Sequence, residues 1–189
     1  MCHIKGDIVN RIYLRAFEPD DYMLINKWRN DPDIYRLLGG NFNFVSLERD
    51  RQWVLDKSTN DRDGIYLAIC LTSSNEMIGY TSLVNMDLRN QKVDVGGFTI
   101  GNKSMWRQGY SREAHILLFN FVFNTFPINK IKSYCLEEHE ITIHTLTSLG
   151  FKKEGILRKE VYKNGEFKNL HIYSLLRSDY LKTGLMREQ

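Results

Sequence analysis

The sequence predicts an α+β domain around a mixed, mostly antiparallel sheet. Three observations carry this expectation. The runs 65–71, 77–84 and 93–100 are apolar or alternating and are separated by short polar turns, the pattern of an antiparallel meander. The stretch from Ser111 to Phe126 is apolar nearly all round, so it reads as a helix buried in the middle of the domain. Ile131 to Leu136 then follows a helical crossover, which places it parallel to the 93–100 strand.

The remaining elements follow in order. Residues 1–10 read as a loose leader. Arg11 to Phe17 alternates and is expected to be the first strand. Glu18-Pro19-Asp20-Asp21 opens a helix, with proline in the first turn and acids at the positive end of the dipole. Asp21, Leu24, Ile25 and Trp28 share one face of it, which runs to about Asn30. Asp31-Pro32 breaks it, and a short helix covers Pro32 to Leu38 before Gly39-Gly40. Asn41 to Val45 reads as loop. Ser46 caps a third helix over Leu47 to Lys57, with Val54 and Leu55 inward. Ser58 to Gly64 is a polar connection. Ser73 to Glu76 and Asp87 to Gln91 are the meander turns, and Pro127 ends the long helix. Glu138 to Leu149 is the next helix, with Ile141, Leu146 and Leu149 inward and Gly150 as its stop. Phe151 to Lys163 and Glu166 to Leu176 form a hairpin around Asn164-Gly165, a strong tight-turn signal. The stretch from Arg177 reads as a polar tail. At 189 residues, with no linker or internal repeat, the chain is expected to form one domain over 1–189.

Composition excludes more than it selects. A net charge of +3, with no run of five basic residues, argues against nucleic acid as a partner. No apolar run approaches the roughly 20 residues needed to span a membrane. Met1 to Asn10 lacks the apolar segment of a signal peptide. Cys2, Cys70 and Cys135 show no ligand spacing, and an odd count suggests a reducing, cytoplasmic setting. The histidines His3, His115, His139, His144 and His171 form no HExxH-like pair, so no metal is expected. A GxxxxGK[ST], a GxGxxG and a GxSxG are all missing, which removes the P-loop, Rossmann and α/β-hydrolase readings.

The stretch Trp106 to Ala114 remains. A strand feeds a basic loop, and the loop opens into a helix. Free backbone N–H groups and the dipole make such a helix start favourable for an anion. Ser111 is the expected N-cap, and Glu113 falls in the first turn. Gly109 permits close approach of a phosphate, and Arg107 and Arg112 add positive charge. The bland alternative is a plain connection with solvated arginines.

Trp106-Arg107-Gln108-Gly109-Tyr110-Ser111-Arg112-Glu113-Ala114 resembles the acetyl-CoA pyrophosphate loop of GNAT N-acetyltransferases. In their Rim-type branch, which acetylates ribosomal-protein N-termini, this loop reads W-G-K-G-Y-A-T-E-A. The resemblance extends over nearly the whole chain. It includes Leu14-Arg15 with Asp21, Trp28-Arg29-Asn30-Asp31-Pro32, Ile78-Gly79, Leu149-Gly150-Phe151 with Glu154-Gly155 and Arg158, Tyr162 to Gly165, and Tyr173 to Arg177. It implies the GNAT fold, in which the 93–100 and 131–136 strands splay apart and helices cover both faces of the sheet. It also implies acetyl-CoA as co-substrate and direct transfer to an amine. Pantetheine would pair with the backbone near Phe98, Thr99 and Ile100, and the pyrophosphate would meet Arg107, Gln108, Gly109, Tyr110, Ser111 and Arg112. A strand N–H would hold the oxyanion.

The acceptor amine must lose a proton, since a lysine-like amine has a pKa of about 10.4. Asp94 matches a frequent glutamate of the branch and is the first candidate for base; the alternative is a plain ion pair on the strand. Glu138 is a second carboxylate candidate, and Tyr134 is a candidate proton donor or a core residue. Where the branch reads N-x-x-S, this chain has His139-Glu140-Ile141-Thr142. Thr142 keeps a hydroxyl for the sulfur side, and His139 stands in for the asparagine contact to CoA. Leu146 replaces the general-acid tyrosine of many GNATs, and Asn169 replaces a common aspartate. The acceptor pocket is expected from the first helices and the closing hairpin, with Trp28, Arg29 and Tyr35 as candidates. Trp28 as core and Arg29 as a structural pair are the alternatives. A protein N-terminus, a polyamine and an amino sugar all stay open as the small-molecule or peptide acceptor, as does a homodimer. An acyl-CoA-binding module without catalysis is the rival reading.

Overall fold

Alternating side chains in the first strands divide the protein into two cores. The computed structural model describes residues 11–40, 44–60 and 64–186, with the side chain of Leu37 left aside. The expected leader and parts of the 41–45 and 58–64 connections lie outside this range. Strand β1 (Ile12–Ala16) pairs antiparallel with β2 (Gly64–Leu71). Ile12, Leu14, Leu67, Ile69 and Leu71 enter one core, while Tyr13, Ala68 and Cys70 enter the other. That is the period-2 consequence of the pleat. Strands β3 (Met77–Asp87) and β4 (Lys92–Val95) complete the meander.

Helices cover both faces. On the side of Tyr13 and Cys70 lie α1 (Tyr22–Arg29), α2 (Pro32–Leu37) and α3 (Leu47–Thr59). They contribute Ile25, Trp28, Ile34 and Val54 to that core. Ser46 caps α3 as expected, accepting from the Arg49 N–H at 3.2 Å. Pro19–Asp21 is a 3-10 turn ahead of α1 rather than its first turn. Leu24 and Leu55 are exposed, against expectation. These helices bury only a narrow stripe, so apolar residues at its margin meet water.

On the other face lies α4 (Tyr110–Thr125), with Ala114, Ile116, Leu117, Leu118, Phe119, Val122 and Phe123 buried. Beyond Pro127, β6 (Lys130–Leu136) runs parallel to β4, as the crossover rule predicts. Helix α5 (Glu140–Ser148) sends Leu146 inward, followed by buried Leu149, whereas Ile141 is exposed. Strands β7 (Lys152–Lys163) and β8 (Glu166–Leu176) form the closing hairpin. Its turn has positive φ at both Asn164 (52°) and Gly165 (83°), the geometry that Asn-Gly favours. The expected polar tail instead begins with α6 (Arg177–Lys182), whose Tyr180 is fully buried against Phe119 and Phe123. One buried aromatic amid polar neighbours is too sparse a pattern to signal a helix. The sheet order is β1-β2-β3-β4-β6-β8-β7.

Candidate active site

The expected 93–100 strand is broken in the middle. Its first half, β4, pairs with β6 only over Lys92↔Lys130, Val93↔Ile131 and Asp94↔Lys132. Its second half, β5 (Thr99–Ile100), returns to β3 through Gly79↔Ile100 and Tyr80↔Thr99. The Gly96 N–H donates back to Ser82 O at 2.8 Å. From Val95 onward β4 and β6 therefore part, and a gap opens at their carboxyl ends. In the chain, α4 follows the end of β5 after the 101–109 loop, and α5 follows the end of β6 after a short turn.

The loop before α4 is built from side chains that hold its backbone. Trp106 Nε1 donates to Ile100 O at 2.7 Å, and Gln108 Nε2 donates to Ser104 O. Gly109 is the N-cap of α4, with φ at 85°. That left-handed conformation costs an L-residue roughly 1–2 kcal/mol, which favours glycine there. Ser111 lies inside the helix and caps nothing, which corrects the expected cap; Gly109 supplies the turn by backbone freedom alone. Arg107, Gln108, Gly109 and Arg112 are exposed, with Tyr110 and Ser111 half-buried. The first N–H groups of a helix have no partner within it, so this start presents donors outward. Phe98 stacks on His115 of α4, with ring centroids 3.8 Å apart. Burial holds the His115 imidazole down to about 4, against a weaker upward pull from its hydrogen bond to Ser111 O, so the ring is neutral at pH 7.

On the opposite face every residue of Trp28-Arg29-Asn30-Asp31-Pro32 has an architectural partner. Trp28 is buried and stacks on Tyr80. Arg29 reaches the fully buried Asp50 at 2.6 Å and lies over the Trp53 ring. Asn30 exchanges hydrogen bonds with the backbone of Val45. Asp31 caps α2 and pairs with Lys103 at 2.8 Å, and Pro32 fills the first helical position. Arg15 and Asp21 form a two-point ion pair in the same way. Tyr35 is half-buried, and its ring lies 4.2 Å from Lys163 Nζ. Lys163 is itself buried, donating to Tyr35 O at 2.8 Å, to Gly40 O at 3.3 Å and to Leu38 O. Burial lowers its pKa, while the Glu138 charge pulls the other way.

Around the gap the candidates for proton transfer fall into two groups. Asp94 is buried, with Lys132 Nζ 2.8 Å from Oδ1 and Asn85 Nδ2 3.1 Å from Oδ2. Lys132 also donates to Tyr134 Oη at 3.1 Å, and Tyr134 is exposed rather than core. Asp94, Lys132 and Tyr134 thus form one polar chain ending in solvent. The second group lies at the start of α5. Thr142 Oγ1 is 3.0 Å from His139 Nδ1. Burial, with a smaller contribution from the Lys163 charge, lowers the pKa of His139. Glu138 is exposed and 3.7 Å from Lys168. Leu146 is fully buried. Asn169 accepts from the Lys159 N–H at the β7 bulge and donates to Glu137, beside a cavity of about 770 Å³ that also touches Ile156 and Arg158.

Sequence reasoning missed Arg11, Lys132 and Lys163. Each acts across strand pairing or over about a hundred residues of chain, so no local motif marks it. Lys132 alone had a usable signal, being the parallel-register partner of Asp94. Among the described residues no group of three or more His, Cys, Asp or Glu could hold a metal ion, and no helix is long and apolar enough to cross a membrane.

The described residues thus bring together a parallel strand pair that parts after three residue pairs and a helix start whose first N–H groups lie outside the helix ladder. Residues 11–152 match the family model described as acetyltransferase (GNAT) domain, so the chain belongs to the GNAT acetyltransferases and is an N-acetyltransferase by family. It is 26% identical over 171 residues to the uncharacterized N-acetyltransferase p20 of Bacillus licheniformis, covering 90% of this chain and 95% of p20. It is 22% identical to the uncharacterized N-acetyltransferase YoaA of Bacillus subtilis, over 89% of this chain and 94% of YoaA. Its fold is similar to that of spermidine N-acetyltransferase from Vibrio cholerae, solved with CoA and spermine. The TM-score is 0.82 at 20% identity, over 90% of this chain and 98% of that one. The GNAT fold expected from the sequence is the fold observed.

Proposed function

We propose that the protein transfers an acetyl group from acetyl-CoA to a primary amine by direct attack within a ternary complex, in the manner of the Rim-type branch. The observation that carries this reading is the gap between β4 and β6 with the open start of α4 beside it. CoA pyrophosphate binds the N–H groups of 109–112, with Arg107 and Arg112 adding charge. Pantetheine enters the gap and pairs with the backbone at Phe98 to Ile100. The thioester carbonyl meets a strand N–H there, a contact commonly worth a few kcal/mol in the transition state. Thr142 and His139 face the sulfur side.

Asp94 serves as the carboxylate of the amine side. Its ion pair with Lys132 makes Tyr134 the member of that chain nearest the solvent. Glu138 is the second carboxylate, at the rim. Tyr35 lines the acceptor wall, and Trp28 and Arg29 support it from behind. The acceptor is a protein N-terminus, a polyamine or an amino sugar. The ligands of the Vibrio cholerae relative favour testing a polyamine first.

A second reading has specific support. Asp94 is already paired, and the general-acid tyrosine position is buried Leu146. Both features suit a module that binds acyl-CoA without turnover. Thiol release from acetyl-CoA with spermidine, a peptide N-terminus and an amino-sugar nucleotide separates the two. Amine-dependent release with at least one of them supports transfer. Tight acetyl-CoA binding without release on any of the three supports the module.

A further inference from the structure

Glu113 poses an electrostatic problem for the helix start. It lies in the first turn of α4 and is buried, at 8% exposure. A carboxylate there suits the helix dipole, but it competes with any anionic ligand for the same positive end. A phosphate arriving at 109–112 meets a fixed negative charge less than a turn away.

Arg11 answers that charge. It immediately precedes β1, 102 residues from Glu113. Its Nε donates to Glu113 Oε2 at 2.9 Å, and its Nη2 lies 2.8 Å from the same oxygen. Its backbone N–H donates to Glu113 Oε1 at 3.2 Å. Nη1 reaches past the carboxylate to Gln108 O at 3.1 Å, inside the loop itself. The guanidinium also covers the Tyr110 ring at 4.4 Å, and a Cβ on Gly109 would lie 3.5 Å from Nη2. One side chain therefore touches Gln108, Tyr110 and Glu113 and borders Gly109.

Resting on the reading of this loop as the acetyl-CoA site, we infer that Arg11 is a positioning residue that makes the site usable. It cancels Glu113 and fixes the loop backbone in the donor-presenting shape. The anion then meets the dipole and the exposed N–H groups without repulsion from within the helix. The loop motif contains Glu113 and not its partner, so the motif alone describes an unneutralised site.

The test is acetyl-CoA affinity by titration calorimetry, at low and moderate salt, for wild type, Arg11→Met, Glu113→Gln and the double variant. Arg11→Met should weaken binding at least about tenfold, because it leaves a buried carboxylate uncompensated. The double variant should recover to within about threefold of wild type, the coupling expected of a charge-cancelling pair. Glu113→Gln alone should bind a few-fold tighter, with steeper salt dependence, because Arg11 is then a free cation at the site. Glu113→Gln keeps the test decisive if Arg11→Met does not fold: weaker binding in that variant overturns the inference. An Arg11→Met protein that binds like wild type, or a double variant no better than Arg11→Met, also overturns it. Wild type that does not bind acetyl-CoA removes the donor-site reading and this inference together; loss of the Arg11 effect alone leaves that reading in place.

Discussion

The start of α4 and the wall formed by α1, α2 and the closing hairpin use buried charge in opposite ways. At α4, Arg11 and Glu113 cancel each other, His115 stays neutral under Phe98, and the helix N–H groups are left facing out. At the wall, the polar groups bind one another. Arg29 holds Asp50, Asp31 holds Lys103, and Lys163 holds the carbonyls that end α2. The first arrangement leaves backbone donors for a ligand, while the second fixes the shape of a surface.

The largest expected effect tests the neutral side of this contrast. Burial holds the folded pKa of His115 down to about 4, below the ordinary imidazole value of 6.5. Between those values the unfolded chain binds the proton and the folded chain does not. Stability from this group is complete above pH 6.5 and is lost as pH falls through 4, by about 3 kcal/mol. Denaturant unfolding at pH 7 and pH 4.5 should show this acid limb flattened in His115→Phe. An unchanged limb in that variant removes the neutral-core account.

A comparable test addresses the loop backbone. Gly109→Trp forces a bulky residue into a left-handed position at the helix start, and acetyl-CoA affinity should fall about a hundredfold, from strain and blocked approach together. Unchanged affinity in a titration would sink the donor-loop placement. Asp94→Asn should lower kcat about tenfold to a hundredfold, the lower range for a lost proton-transfer group. Its acetyl-CoA affinity should hold, and the shape of the pH–rate profile should change. An intact profile strips Asp94 of that role. The smallest effect is expected at the wall. Lys163→Met frees the end of α2, so KM for the acceptor should rise about tenfold or less with acetyl-CoA affinity unchanged, in keeping with loss of positioning. A parallel loss of affinity for both substrates would mean general destabilisation instead of wall control.

The contrast also explains what the sequence revealed. Strand periodicity, the Asn164-Gly165 turn and the all-round apolar α4 follow local rules, and those elements are where they were expected. The loop and helix start at 106–114 were legible because a basic loop, a glycine and a helix start occur in nine consecutive residues. Their details were not. Ser111 read as a cap by residue type, but Gly109 takes the cap position through a φ that only the fold reveals. The 93–100 run read as one strand because its pattern is continuous, whereas β3 captures its second half and opens the gap. Trp28 and Arg29 drew attention as pocket candidates because the resemblance places the acceptor pocket at the first helices and the closing hairpin. Their partners, Tyr80 and Asp50, are distant in sequence, so their structural duties could not be read locally. Tyr180 was missed because a single buried aromatic leaves no periodic trace.

Amide chemical shifts followed by NMR as acetyl-CoA is added test the central claim most directly. The account predicts that the largest changes fall on Gly109, Tyr110, Ser111 and Arg112, with a second set on Phe98 to Ile100 across the gap. Saturable binding whose shifts cluster elsewhere, for example along β7 at 156–160, and leave 109–112 unmoved would contradict it.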